Sequence, residues 1–227
     1  MTARPDAQPT LGTHDGLAYA LLSPAGPPRG CVVILHGAGS RKENHLDFAR
    51  LCARAGLAAI AFDQRGHGAS EGVLGAGALD DVAAIAGLLG PGPVFLRGSS
   101  MGGWGALAAA SLVGARAVVA ICPAGSSMLI GGLRSGRFDF RADEAALEAV
   151  IAGVDIDAAA RALGSDLLLL HAEGDDRVPI ERSAALHELA AGSTFIRVPG
   201  GDHHSVQHDA ALQERAVAFL LERAEAE

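Results

Sequence analysis

Short apolar runs recur along the chain, and segments with helical spacing separate them. Residues 31–35, 57–62, 94–96, 117–121 and 167–170 are such runs, and 194–198 is a similar mixed one. They do not alternate apolar with polar positions, so they predict strands covered on both faces, as in a parallel sheet. Residues 46–55, 79–89, the Ala-rich segment 104–110, 157–163, 181–191 and about 209–223 predict helices. Gly56 supplies a C-cap, and Asp80 and Asp81 fall in a first turn, where the helix dipole favours carboxylates. Strand alternating with helix predicts an α/β protein with a doubly wound, mostly parallel sheet. Residues 16–22 predict an early strand, 24–30 a turn-rich link and 1–15 a frayed arm.

The rhythm breaks once, between Pro123 and about Val154. Residues 126–132 and 134–141 read as irregular, and 143–152 as a short amphipathic helix. About 30 residues is long for a structureless loop, so this segment reads as an insertion. Met128, Leu129, Ile130, Phe138 and Phe140 give it an apolar face suited either to the core or to a lid over the sheet edge. No repeat is visible. The expectation is one domain over 1–227, with the insertion at about 123–154.

A chain of 227 residues can bury a sizeable core. With 49% apolar but only 4% aromatic residues, Ala, Val, Leu and Ile must build that core. The net charge of −8, with no basic run, argues against nucleic acid or an anionic membrane as partner. Cys31, Cys52 and Cys122 are scattered through apolar segments and read as reduced core thiols of a cytoplasmic protein. Residues 1–10 are polar without an apolar stretch, so no secretory leader is expected, nor is a membrane span.

The candidate chemistry starts at Gly98-Ser99-Ser100-Met101-Gly102-Gly103. This G-x-S-x-G lies between a predicted strand and a predicted helix. That context predicts a sharp, strained turn with the Ser100 hydroxyl exposed. Gly98 and Gly102 fall where side chains would collide, and Gly103 lets the helix approach the sheet. A serine hydroxyl needs a base, and the base needs an orienting carboxylate. The run 167–170 leads into His171-Ala172-Glu173-Gly174-Asp175-Asp176-Arg177-Val178-Pro179. The run 194–198 leads into Pro199-Gly200-Gly201-Asp202-His203-His204-Ser205. Parallel strands present their C-terminal ends on one edge, so Ser100, an Asp near 175 and a His near 203 are expected to converge there.

With these blocks in the order Ser, Asp, His, the chain resembles the α/β-hydrolase superfamily, near its compact serine esterases and acyl-peptidase-like members. The resemblance runs from about Gly30 to the C-terminus. It also rests on His36-Gly37-Ala38-Gly39 and on Asp63-Gln64-Arg65-Gly66-His67-Gly68-Ala69-Ser70. It implies an α/β-hydrolase fold with a short lid insertion. Ser100 would be the nucleophile, Asp175 the acid and His203 the base. The pattern H-x-x-x-D-x-x-V-P from His171 selects Asp175, and G-x-x-H from Gly200 selects His203, with Asp176 and His204 as the neighbouring alternatives. The resemblance places the oxyanion hole at the backbone N–H groups of Ala38 and Met101.

Two departures stand out: Ser99 occupies a position where many relatives carry His, and no HGGG run is present, which argues against bulky alcohol esters. The implied protein is a serine hydrolase without cofactor or metal, cleaving small to medium carboxylic esters through an acyl-enzyme. Its partner would be a small-molecule acyl ester. A thioesterase or acyl-aminoacyl peptidase is the enzymatic alternative, and a non-catalytic ligand-binding member is the alternative from another class.

Several polar residues have plainer readings. His36 and His67 read as structural loop residues, and Asp63 and Arg65 as pins of their own turn. Glu173 and Asp202 read as solvated loop carboxylates. His203, His204 and His208 lack acidic or Cys partners at metal-ligand spacing.

Overall fold

The apolar runs pair edge to edge because their backbone groups, once buried, have nowhere else to hydrogen-bond. The computed structural model describes residues 8–225. Its strands are β1 (Thr10–His14), β2 (Leu17–Leu22), β3 (Cys31–Leu35), β4 (Ala58–Phe62), β5 (Val94–Ser99), β6 (Ala117–Ile121), β7 (Leu167–Ala172) and β8 (Thr194–Val198). They form one sheet in the order β1-β2-β4-β3-β5-β6-β7-β8. The β1–β2 and β2–β4 pairs are antiparallel and the other pairs are parallel.

Successive strand residues face opposite layers. Val33, Leu35, Leu96, Val118 and Leu169 pack toward α2 (Ala78–Ala86), α3 (Met101–Ala109), α6 (Ile156–Leu163) and α7 (Glu181–Leu189). Val32, Ile34, Phe95, Val119 and Leu170 pack toward α1 (Leu46–Arg54) and α9 (Ala210–Glu225). This is the doubly wound α/β architecture expected from the uninterrupted apolar runs.

Two expectations are corrected. Of the arm expected at 1–15, residues 1–7 lie outside the described residues, as does most of the polar segment 1–10. Residues 10–14 form β1. Asp15 and Gly16 turn the chain with φ of 48° and 78°. Asp-Gly is a strong hairpin signal, and β1 then pairs residue for residue with β2.

The second correction concerns the insertion. Residues 126–132 belong to a helix, α4 (Ser126–Arg134), followed by α5 (Glu144–Gly153). Its two glycines oppose helix formation locally, but burial of Leu129 and Leu133 outweighs them. The Trp104 indole donates to Ser126 Oγ at 3.1 Å, fastening α4 to α3. The strand-like bridge Leu74–Ala142 fastens the insertion to the loop after β4. Among the described residues, no helix is long and apolar enough to cross a membrane.

The loop after β4 is built around Asp63, which is fully buried. Its carboxylate accepts from Lys42 N–H at 2.7 Å, Lys42 Nζ at 2.7 Å and Ala69 N–H at 2.8 Å. Burial pushes the Asp63 carboxyl upward, but these bonds outweigh it and hold the pKa below the ordinary value. A carboxyl depressed on folding adds stability at pH above its unfolded value, and loses it as pH falls through the folded one. Asp63→Asn is therefore expected to cost about 3 kcal/mol at neutral pH, because it leaves the buried Lys42 ammonium with only the more exposed Glu43 carboxylate, at 2.8 Å, as counter-charge. The deficit should narrow below about pH 4, near the unfolded carboxyl value. Urea melts of both proteins from pH 7 to pH 3 check this; a deficit constant with pH would contradict it.

Candidate active site

Four loops leave the C-terminal ends of β3, β5, β7 and β8 on one edge of the sheet. The β5 loop is the sharpest. Ser100 has φ 56° and ψ −120°, a left-handed conformation costly for a residue with a Cβ. It persists because both sides are held. Ser100 N–H donates to Ile121 O at 2.9 Å, and Ser100 O accepts from Trp104 N–H and Ala124 N–H, both at 3.1 Å. The flanking glycines permit the approach. A Cβ on Gly98 would lie 1.9 Å from Gly102 O, and one on Gly102 would lie 2.3 Å from Leu35 O.

The β7 and β8 loops bring the other two residues together. His203 Nδ1 donates to Asp175 Oδ2 at 2.7 Å. The other Asp175 oxygen accepts from Arg177 N–H and Val178 N–H, each at 2.9 Å. Burial raises the Asp175 pKa, but the Val178, His203 and Arg177 donors outweigh it and keep the carboxyl below its ordinary range. An ionised carboxylate therefore faces the imidazole at neutral pH. Asp176 and His204 take other positions. Asp176 is exposed, and the backbone N–H of His204 donates to Asp202 Oδ1 at 2.8 Å. Asp202 also accepts from Ser205 N–H at 2.9 Å, so this exposed loop carboxylate braces the turn into the short helix α8 (Ser205–His208).

Ser100 and His203 line the same open cleft, of about 430 Å³. Gly37, Ala38, Ser40 and Asn44 from the loop after β3 line it, together with Arg177 from the loop after β7 and His204, Gln207 and His208 from the segment after β8. Residues 123–154 contribute nothing to this lining. The expected lid face is thus turned elsewhere: Phe138 stacks on Phe140 at 5.4 Å, and Phe140 on His67 at 4.4 Å. Ala38 lines the cleft beside Ser100. Met101 follows Ser100 as the first residue of α3, while its side chain lines a narrow apolar slot with Trp104, Leu129 and Ile151.

The supporting polar groups take structural positions. His36 Nδ1–H donates to Gly37 O at 2.8 Å, and its Nε2 accepts from Gln64 N–H at 3.0 Å. Burial drives its pKa down to about 4, so this ring is a neutral strut. Arg65 Nε binds Asp81 at 3.0 Å, and its guanidinium reaches Asp15 O at 2.8 Å, well occupied in tying its turn to β1 and α2.

Three contributors were not evident from the sequence. The buried thiol of Cys122 lies within 4.8 Å of the Asp175 carboxylate. His171 is clamped by Val178 O at 2.9 Å and Ser183 Oγ at 2.7 Å, with its Nε2 3.4 Å from Asp175. Arg97, on β5, is 1% exposed and spans from His45 Nδ1 at 2.9 Å to Gln207 O at 3.0 Å. It therefore anchors α8, which follows His203. Burial lowers its pKa to about 10, so it remains charged. The only hint was an Arg inside an otherwise apolar run.

Among the described residues, one cluster has donors close enough for a metal: Cys122, His171 and Asp175. Both His171 nitrogens are already hydrogen-bonded, and burial raises the Cys122 pKa strongly, so the set is poorly suited to a cation.

Comparison with known proteins agrees with this fold. Residues 26–130 match a family model described as serine aminopeptidase, S33, and residues 153–225 match one described as TAP-like protein. No curated protein sequence matches the chain significantly. Est1E of Butyrivibrio proteoclasticus, solved with ferulic acid bound, is 19% identical, with a TM-score of 0.77 over 96% of this chain and 100% of that one. An α/β serine hydrolase of Xanthomonas campestris, described as lacking a lid, is 19% identical, with a TM-score of 0.72 over 97% of each chain. A monoacylglycerol lipase of Paleococcus ferrophilus is 23% identical, with a TM-score of 0.70 over 92% of this chain and 98% of that one.

Proposed function

We propose, from the premise that the chain belongs to the α/β-hydrolase superfamily, that it is a serine hydrolase cleaving short carboxylic esters through an acyl-enzyme. The observation that carries this reading is a strained Ser100 sharing one cleft with His203, whose other ring nitrogen holds Asp175 at 2.7 Å. Ser100 Oγ attacks the acyl carbon while His203 Nε2 takes its proton. The backbone N–H groups of Ala38 and Met101 receive the oxyanion as the carbonyl double bond opens. The double bond reforms, the C–O bond to the leaving group breaks, and His203 returns the proton to that oxygen. Water then repeats the sequence on the acyl-enzyme, with His203 as base, releasing the acid and restoring Ser100. Asp175 holds the imidazole in the tautomer that leaves Nε2 free.

A short acyl group is favoured because the apolar slot lined by Met101, the residue after the nucleophile, is nearly filled. The slot next to Met101 has a volume of about 20 Å³, room for about one water molecule. The insertion has spent Leu129, Leu147 and Ile151 on closing it. The family description as serine aminopeptidase favours amide cleavage as the second reading, since the same acyl-enzyme would form. A fluorophosphonate probe is expected to label Ser100, with Ser100→Ala blocking the label. In a p-nitrophenyl ester series, acetyl to hexanoyl esters should exceed palmitoyl in kcat/KM. A probe that labels no residue, or a rate rising steadily to palmitoyl, would overturn the reading.

A further inference from the structure

The cleft has a charge character opposite to that of the whole chain. The protein carries a net charge of −8, yet among the described residues no Asp or Glu lines the cleft. Its lining holds Arg177 together with His203, His204 and His208. The His208 ring is engaged with Asp47 Oδ2 at 2.9 Å. The Arg177 guanidinium makes no hydrogen bond or ion pair with any described residue. Its backbone, by contrast, is fixed, because Arg177 N–H donates to Asp175 Oδ1 at 2.9 Å. A permanent cation without a counter-charge is thus mounted on the same turn that braces the catalytic carboxylate. Its field is felt at the neighbouring His204, whose pKa is lowered first by burial and then by Arg177.

Guanidinium matches planar carboxylates and phosphates, which it can grip through two parallel N–H groups. In the reaction proposed above, His203 must hand its proton to the departing oxygen. The leaving half of the substrate therefore lies on the His203 side of the cleft, and Arg177 and His204 line the cleft with it. We propose that Arg177 is a specificity residue for substrates whose alcohol or thiol half carries an anionic group, carboxylate or phosphate. The proposal rests on the serine-hydrolase reading and adds a substrate class to it. It also gives the overall negative charge a consequence: only a local cation would retain an anion that the rest of the surface repels.

The test uses three acetyl esters, of 3-hydroxybenzoate, of its methyl ester and of 3-hydroxyphenyl phosphate. kcat/KM is measured for the wild type and for Arg177→Gln. The wild type is expected to prefer an anionic ester over the neutral one by about tenfold, with the preference falling as salt rises. The carboxylate and phosphate arms show which anion is meant. In Arg177→Gln the ratio should fall toward one. A wild type with no preference would overturn the proposal. So would a variant that loses rate on all three esters in parallel, since that is what slackening of the Asp175 turn produces. If no ester is cleaved by the wild type, the hydrolase reading has failed, and binding decides the rest. Calorimetric titration of 3-hydroxybenzoate into Ser100→Ala should then show binding that Ser100→Ala/Arg177→Gln loses. Equal binding by both, or none by either, would refute the Arg177 site.

Discussion

His203→Ala is expected to lower kcat on an acetyl ester by about four orders of magnitude, whereas His204→Ala should cost no more than about tenfold. The two residues are neighbours in sequence but differ in what they touch. His203 is 8% exposed and donates to Asp175 at 2.7 Å, while His204 is exposed. The same logic separates the acids. Asp175→Asn swaps a carboxylate for an amide that no longer fixes the imidazole tautomer, so a loss of about four orders is expected there too. Asp176→Asn should leave more than half of the activity, because that side chain is exposed. Steady-state kinetics on variants with native circular dichroism check both pairs. A dead His204→Ala beside an active His203→Ala would mean that the Asp175–His203 contact is not the one catalysis uses.

Gly98→Ala is expected to destabilise the protein by more than about 4 kcal/mol, or to prevent soluble expression altogether. The added methyl would lie 1.9 Å from Gly102 O and 2.3 Å from Gly102 C, and both are backbone atoms of the elbow. A flexible side chain could swing aside, but a carbonyl at the start of α3 cannot move without shifting Ser100. Gly131→Ala provides the internal contrast. Nothing lies within 4 Å of a Cβ there, and the residue sits inside α4. It should stabilise by roughly 0.5–1 kcal/mol, raising Tm by a degree or more. Thermal melts of the two variants should therefore move in opposite directions. A Gly98→Ala protein with unchanged Tm would show that the strand and helix are not as close as the structure has them.

The sequence by itself determined the layered architecture. Residues 31–35 and 117–121 are apolar at every position, which only a strand covered on both faces tolerates, and those boundaries recur in the structure as Cys31–Leu35 and Ala117–Ile121. It also determined where chemistry could sit, because the glycines around Ser100 and the polar runs after 170 and 198 are local signals at strand ends. Tertiary structure alone decided the rest, for physical reasons. Residues 126–132 hold two glycines and no helical stripe to read, and they are helical because Leu129 and Leu133 find apolar partners far away in sequence. The face that the insertion presents is likewise a packing outcome, and it turns inward rather than over the cleft. Arg97 lies in an apolar strand, and its acceptor is a carbonyl 110 residues downstream. Arg177 carries no local signal that sets it apart from other loop charges, and only the convergence of four strand ends put it in the cleft with Ser100. Local patterning records which backbone a segment prefers, but not which long-range neighbour satisfies a buried charge or leaves an exposed one unpaired.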